Sequence, residues 1–370
     1  MVIPLASSIQ HLFSFFKKDF VQSSDLSYQQ LKVLNHITAC RTPSMGGFIS
    51  YCTDCGAAQA FFHSCGDRHC PVCQGQSQAV WAENQMQYAL PLDYFHIVFT
   101  LPDSLNSLFL TYFKVCADAL FHAASKAILT LCKDKKYLNG VPAVTAVLHT
   151  WGQTVQFHPH LHVIVSSGGL SLDGKRAVSS PSDSFFLPVK VLSRVFRGIF
   201  LRRLKKLLSL EDAFCSSLYN TDFFVYLKAP FDSPSNIVKY LARYTHRVAI
   251  TDARILSFDQ ATGLVSFSFK DNKDGGKQKV MTLHGLEFMR RFFLHVLPKG
   301  FVKIRHSGLL ANHNKKSRIA QCIRLLGRVV PRFLSLFKKI DRTICPLCGA
   351  AMSESRKVSA LFLSYQQLLC

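Results

Sequence analysis

His160 and His162 stand two residues apart in FHPHLHVIV (157–165). On a β-strand, residues two apart project to one face. Two imidazoles therefore stand together and can hold one divalent metal through two nitrogens, with Leu161 turned the other way. His158 is within reach but precedes the strand. Tyr240 and Tyr244 are four residues apart in a stretch that opens with Ser233 as N-cap and Pro234 at the first helical position, the signature of a helix running to about His246. The two phenols share a helix face. A core-facing aromatic pair is the plainer reading of that spacing. Lys239, Arg243 and Arg247, with His246, set the phenols amid cations, which suits an approaching phosphate. The parts make chemical sense together. A metal on two histidines polarises a phosphodiester oxygen, and a tyrosine attacks phosphorus to leave a phosphotyrosine and a free hydroxyl end. That linkage conserves bond energy, so the strand is rejoined without ATP, and two tyrosines allow two strand ends to be handled in turn.

Six of the thirteen cysteines lie between Cys40 and Cys73. Cys52-x-x-Cys55 and Cys70-x-x-Cys73 are two knuckles separated by fourteen residues, a spacing that predicts one closed, structural four-thiolate zinc site. Cys40, Cys65, His36, His63 and His69 remain nearby. Pairs such as Cys65 with His69 and His36 with Cys40 could hold a second zinc, or could simply pack beside the first. Cys345-x-x-Cys348 reads as half a knuckle with no second half in the remaining chain. Cys116, Cys132, Cys215, Cys322 and Cys370 are scattered and read as small buried hydrophobes.

Elements must position these groups. The first segment, to about residue 30, is patterned as an amphipathic helix with a Ser-rich break. Residues 93–102, 143–153 and 160–169 read as strands, with Gly168-Gly169 and Asp173-Gly174 as turn or loop signals. Residues 104–132 and 190–209 read as helices, the second with a strongly basic face. A short strand (223–227), a three-stranded meander (253–283), a helix (285–296), a strand (301–306) and a basic helix (313–326) follow. Four regions result: an N-terminal helical segment (1–30), a zinc-binding domain (31–90), a catalytic domain (91–330) and a basic C-terminal tail (331–370).

Composition narrows the class. With 370 residues, 48% hydrophobic and 18% charged, the chain has ample material for a core and is not a disordered chain. No run approaches the roughly 18 uninterrupted apolar residues of a spanning helix, and the N-terminus carries no signal-peptide pattern. A formal net charge of +22, from 44 Lys+Arg against 22 Asp+Glu, points to a polyanionic partner, usually nucleic acid. Clustered cysteines without a secretory signal favour metal over disulfides.

Seven motifs in order carry a family resemblance: CRTPSMGG (40–47), SCGDRHCPVCQ (64–74), FTLP (99–102), HTWGQT (149–154), HPHLH (158–162), YLARYTHRVAI (240–250) and RHSGLLAN (305–312). Across about residues 30–330 the chain resembles the two-tyrosine rolling-circle transposases of the HUH endonuclease superfamily, in the insertion-sequence-ninety-one-like family. The resemblance implies an α+β fold, with an HUH-type antiparallel sheet, flanking helices and a small N-terminal zinc-binding domain. It implies single-strand nicking and rejoining at transposon ends through 5′-phosphotyrosine intermediates, with structural zinc and catalytic magnesium or manganese. The partners would be single-stranded DNA at the ends and target DNA, with no membrane, in a bacterial cytoplasm. His160 and His162 match the family's metal-binding histidines and Tyr240 and Tyr244 its nucleophiles. Gln153 is the first choice for a third metal ligand, with His149 and His246 as rivals. Phe48 stands where the family usually has His after the Gly-Gly pair, which weakens a second zinc site on the usual ligands. A rolling-circle replication initiator and a non-catalytic zinc-dependent DNA-binding protein are the alternative functions.

Overall fold

The computed structural model describes residues 8–73, 80–81, 83–85, 87–180, 186–221, 223–231, 249–272, 274–327, 343–353 and 356–358. Two N-terminal helices, α1 (Ile9–Ser23) and α2 (Tyr28–Ala39), precede a hairpin of β1 (Gly47–Tyr51) and β2 (Ala58–Phe62). Ser27 begins α2 with a capping box, its hydroxyl accepting from the Gln30 amide while the Gln30 side chain accepts from the Ser27 amide, which satisfies two orphan donors at once. Next come β3 (Tyr94–Thr100), α3 (Asn106–Thr111), α4 (Phe113–Lys133), β4 (Gly140–Trp151), β5 (Phe157–Ser171) and β6 (Ala177–Ser179). The rest comprises α5 (Val189–Leu208), α6 (Asp212–Tyr219), β7 (Val225–Phe231), β8 (Ile255–Asp259), β9 (Leu264–Asp271), β10 (Lys277–His284), α7 (Gly285–Phe293), β11 (Ile304–Gly308), α8 (Lys315–Leu326) and β12 (Arg356–Val358). The architecture is α+β, with antiparallel sheets and packed helices.

The central sheet runs β11-β4-β5-β3-β7, with β6 added beside β5. Its two faces differ because side chains alternate along each strand. Phe95, Ile97 and Phe99 of β3, with Leu161, Val163 and Val165 of β5, form one core with Ala117, Leu120 and Ala124 of α4 and Phe196 and Phe200 of α5. Helix α4 is the one described helix with the length and apolarity to cross a membrane, and its small residues bury against this sheet. The opposite face splits. Ile164, Val147, Ile319 and Cys322 seal one end beneath α8, and the histidines occupy the other.

Gly168 and Gly169 lie inside β5 instead of ending it. A Cβ at Gly169 would stand 1.9 Å from the Val141 carbonyl oxygen, and one at Gly168 2.4 Å from that of Val178. These glycines let two flanking strands approach closely, and the strand continues to Ser171.

The N-terminal helices do not stand apart from the rest. Phe13, Phe16 and Phe20 of α1 pack with Phe288, Phe292 and Phe293 of α7, Val265 and Phe267 of β9, and Cys40, Cys70 and Cys73 in a second core. Strands β10-β9-β8 form a second sheet, and a small third one, β12-β1-β2, joins the N-terminal hairpin to residues 356–358.

Candidate functional site: a histidine cleft and two cysteine clusters

The antiparallel register of the central sheet sets His160 opposite both Thr100 of β3 and His149 of β4, and His162 opposite Val98 and Val147. Nitrogens of His149, His160 and His162 all lie within 4.8 Å of one another. His160 Nε2 and His162 Nε2 are 3.2 Å apart, the separation expected of two nitrogens bound to one cation at about 2.0–2.1 Å. The His160 Nδ1–H donates to the His158 carbonyl at 2.7 Å, which leaves the Nε2 lone pair aimed at that point. His162 Nδ1 lies 2.9 Å from His96 Nε2, so His96 supplies the partner that orients the second imidazole, the arrangement that neighbours of metal-binding histidines provide. Burial pulls His96 and His160 down to about 4. Both are therefore neutral near pH 7, the form that binds a metal. The donor set fits a divalent transition ion.

These rings floor a cleft of about 1040 Å³, at the upper limit of sites for small ligands, roughly 300–1,000 Å³. Tyr226 and Lys228 of β7 line one side, and Phe269, Lys270 and Asn272 at the end of β9 line another. Arg254 bridges the walls. Its guanidinium donates to the Ser268 carbonyl at 2.8 Å and to the Gln153 carbonyl. Trp151 stacks on His149 with ring centroids 4.5 Å apart.

The cysteines form two clusters, each with its four sulfurs mutually within 4.8 Å: Cys40, Cys65, Cys70 and Cys73 in one, and Cys52, Cys55, Cys345 and Cys348 in the other. In the first, Cys40 Sγ and Cys65 Sγ lie 3.4 and 3.6 Å from Cys73 Sγ. Tetrahedral zinc with Zn–S bonds of about 2.3 Å places its sulfurs roughly 3.8 Å apart, so these separations fit. All described cysteines are outside disulfides. In the second cluster the amides of Cys55 and Asp54 point at Cys52 Sγ and hold its thiol down to about 6, whereas at Cys348 the Ala350 amide is outweighed by the neighbouring Cys52 and Cys55, which push the thiol up to about 12.

This grouping corrects two expectations. Cys52–Cys55 and Cys70–Cys73 do not share one site, and Cys345–Cys348 is not a lone half-knuckle. The fourteen-residue spacing is the same in either pairing; the route of the chain decides. Nor do His36 and His69 join a cluster. Asp67 sits between them, 3.0 Å from Nδ1 of each, and His69 Nε2 accepts from the Leu297 amide at 3.0 Å. With both nitrogens engaged, His69 ties the first knuckle to the chain after α7. Burial raises the Asp67 carboxyl, but the imidazole and amide of His69, together with His36, outweigh it and hold the group well below the usual carboxylate range. Phe48 of β1 packs edge-on against His63, ring centroids 5.2 Å apart.

Of the three choices for a third catalytic ligand, His149 has its ring nitrogen beside those of His160 and His162. Gln153 lines the cleft, with its carbonyl held by Arg254. Tyr240, Tyr244, Lys239, Arg243, His246 and Arg247 lie outside the described residues. His96, Lys228, Arg254 and Lys270 escaped the sequence reading. For His96 a signal existed: one basic residue in the apolar strand YFHIVFT, in step with Val98 and Thr100, but a lone histidine there reads equally well as core.

Residues 143–318 match the profile of a family described as "Putative transposase", and residues 12–101 one described as "Transposase zinc-binding domain". The chain is 40% identical over 327 residues to "Putative transposase y4qJ" of Sinorhizobium fredii, spanning 84% of this chain and 81% of that protein. It is 25% identical over 353 residues to "Transposase for insertion sequence element IS801" of Pseudomonas savastanoi pv. phaseolicola, spanning 90% and 85%. No solved structure matches it.

Proposed function

We propose that the chain, which belongs to the insertion-sequence-ninety-one-like transposases and carries their N-terminal zinc-binding domain, nicks and rejoins single-stranded DNA at transposon ends in its histidine cleft, with Tyr240 and Tyr244 as nucleophiles. The observation that carries the reading is the convergence of His149, His160 and His162 on one point in a cleft also lined by Lys228, Arg254 and Lys270. A divalent ion held there would polarise a non-bridging phosphate oxygen and stabilise the charge that develops on it.

The protein's own groups do the rest. Lys228, Arg254 and Lys270 hold the strand by its phosphates, which fixes its path without reading its sequence. His96 engages His162 Nδ1, which leaves Nε2 of that ring facing His160 Nε2. A tyrosine hydroxyl, whose ordinary pKa is about 10, loses its proton as its oxygen attacks phosphorus. The new bond joins Tyr Oη to phosphorus, and the bond from phosphorus to the 3′ oxygen breaks. That oxygen leaves with a proton as a free 3′-hydroxyl, and the 5′ end stays on the enzyme. Reversal with another 3′-hydroxyl rejoins a strand. Support for the tyrosines comes from the sequence: in YLARYTHRVAI (240–250) they stand at the positions that match the family's nucleophiles.

An all-imidazole donor set favours manganese over magnesium, because magnesium prefers oxygen ligands. Short single-stranded oligonucleotides bearing the element's own ends should be cut faster with manganese than with magnesium. His160→Ala and His162→Ala should each lower cleavage at least about 10²–10³-fold, the scale for removing one transition-state charge stabiliser. DNA retention at matched salt should stay near wild type. Cutting at the wild-type rate by both variants would overturn the assignment.

A further inference from the structure

The second cysteine cluster draws two ligands from beyond the region matched by the zinc-binding profile, which ends at residue 101. Its two turns are copies of one another. CTDCGA (52–57) and CPLCGA (345–350) share C-x-x-C-G-A. In the first, the Cys52 amide donates to the Ala57 carbonyl at 2.9 Å and the Gly56 amide to the Cys52 carbonyl at 3.2 Å. In the second, the Cys345 amide donates to the Ala350 carbonyl at 2.8 Å and the Gly349 amide to the Cys345 carbonyl at 2.9 Å. Both glycines adopt positive φ, 69° and 77°, the left-handed conformation that a side chain disfavours. Two such knuckles facing each other close a tetrahedral site. Cys52 Sγ lies 3.4 Å from Cys348 Sγ, and Cys55 Sγ 3.9 and 3.6 Å from Cys345 and Cys348. A disulfide would need about 2.05 Å.

The backbone agrees with the sulfurs. Strand β12 pairs antiparallel with β1, Gly47 opposite Val358 and Ile49 opposite Arg356. The Ser353 amide donates to the Tyr51 carbonyl at 2.7 Å, and the Thr53 amide to the Ala351 carbonyl at 3.2 Å. Yet none of the four cysteines, and no residue of β1 or β2, belongs to any of the three hydrophobic cores among the described residues. A small sheet without a core needs a staple.

We propose that Cys52, Cys55, Cys345 and Cys348 bind a second structural zinc, which clasps the C-terminal segment to the N-terminal hairpin as its third strand. The zinc-binding domain of this chain is then closed by both ends of the sequence, and residues 343–358 are part of it. The proposal does not depend on the nicking reaction.

The full-length protein should carry two zinc ions per chain by elemental analysis. Cys345→Ser/Cys348→Ser should carry one, Cys52→Ser/Cys55→Ser one, and the quadruple variant still one, because all four residues serve the same ion. If Cys52 and Cys55 instead shared zinc with Cys70 and Cys73, the Cys345→Ser/Cys348→Ser variant would keep its full zinc content, and that result overturns the proposal. Wild-type protein gives a test that survives poor folding of variants. Alkylation mapped by mass spectrometry should find Cys345 and Cys348 protected in the zinc-loaded chain, and released together with Cys52 and Cys55 as chelator is titrated in. Ready alkylation of Cys345 and Cys348 while Cys52 and Cys55 remain protected would equally overturn it.

Discussion

His149 and His160 face each other across one rung of the central sheet, and His162 follows two residues along the same strand. The sulfurs of Cys55 and Cys345 meet across 290 residues of sequence. Both arrangements gather metal-binding side chains, but they depend on the fold differently. The histidines sit on a sheet held from behind by a large apolar core, so their geometry exists before any metal arrives. The second cysteine cluster sits on a sheet outside the apolar cores, and there the ion supplies the cohesion. The first cysteine cluster is intermediate, since Cys40, Cys70 and Cys73 are themselves part of a core shared with α1 and α7. The fold positions the histidines, whereas in the second cysteine cluster the ligands help to hold the fold.

The largest expected effect breaks the two classes apart by stability. Apparent binding free energy at a structural zinc is on the order of 10 kcal/mol. Cys70→Ser should therefore lower the melting temperature markedly and deprotect α1, α2 and α7 together in hydrogen exchange. Cys348→Ser should deprotect β1, β2 and residues 343–358 and leave α1 protected. His160→Ala should leave exchange in all of these segments at wild-type levels. Uniform deprotection by every variant would erase the distinction.

A smaller effect tests whether the cleft is preorganised. His96 touches neither DNA nor the expected metal position in this account, but holds His162 at 2.9 Å. Loss of such a partner typically costs 10–100-fold in metal affinity or activity. His96→Ala should raise the manganese concentration needed for half-maximal cleavage by about that factor, with saturating metal restoring much of the rate. A variant whose metal dependence is unchanged would assign His96 to packing alone.

The smallest effect uses a histidine that serves packing. His295 donates from Nε2 to the Val155 carbonyl at 2.9 Å and lies 3.2 Å from Thr150 Oγ1 through Nδ1. Burial lowers it to about 4. Its folded pKa lies below the unfolded value of about 6.5, so the unfolded chain binds the proton first as pH falls. Stability attributable to His295 is then complete above pH 6.5 and declines by about 1.4 kcal/mol per unit between 6.5 and 4. Urea midpoints from pH 7 to 5 should fall more steeply for wild type than for His295→Gln. Parallel slopes would contradict the neutral assignment.

What the sequence made legible follows the same division. β-branched and aromatic runs located the strand bearing His160 and His162 and its neighbours, and the period of two along a strand put the two histidines on one face. The three-stranded meander expected over 253–283 is present as strands at 255–259, 264–271 and 277–284. Features that depend on chain closure were hidden. A C-x-x-C knuckle does not specify its partner: nearness in sequence pairs Cys52–Cys55 with Cys70–Cys73, and the Gly-Ala that follows both Cys55 and Cys348 is the one local mark of the pairing the fold makes. His36 and His69 have the residue type and spacing of ligands, and only the position of Asp67 between them shows the alternative use. The register that brings His149 to His160 depends on the irregularity between His149 and Trp151, which local pattern does not specify. The glycine pair in β5 reads as a turn until the crowding strands are known.

The central claim, covalent nicking by a tyrosine at the histidine cleft, is tested most directly by denaturing gel electrophoresis of the full-length protein after incubation with manganese and labelled single-stranded oligonucleotides bearing the element's ends. Wild type should yield a labelled band of retarded mobility that survives denaturation. Tyr240→Phe and Tyr244→Phe should each still form it through the remaining phenol, and the double variant should form none while staying folded, since phenylalanine keeps the ring. A covalent band from the double variant, or none from wild type loaded with zinc and manganese, would contradict the account.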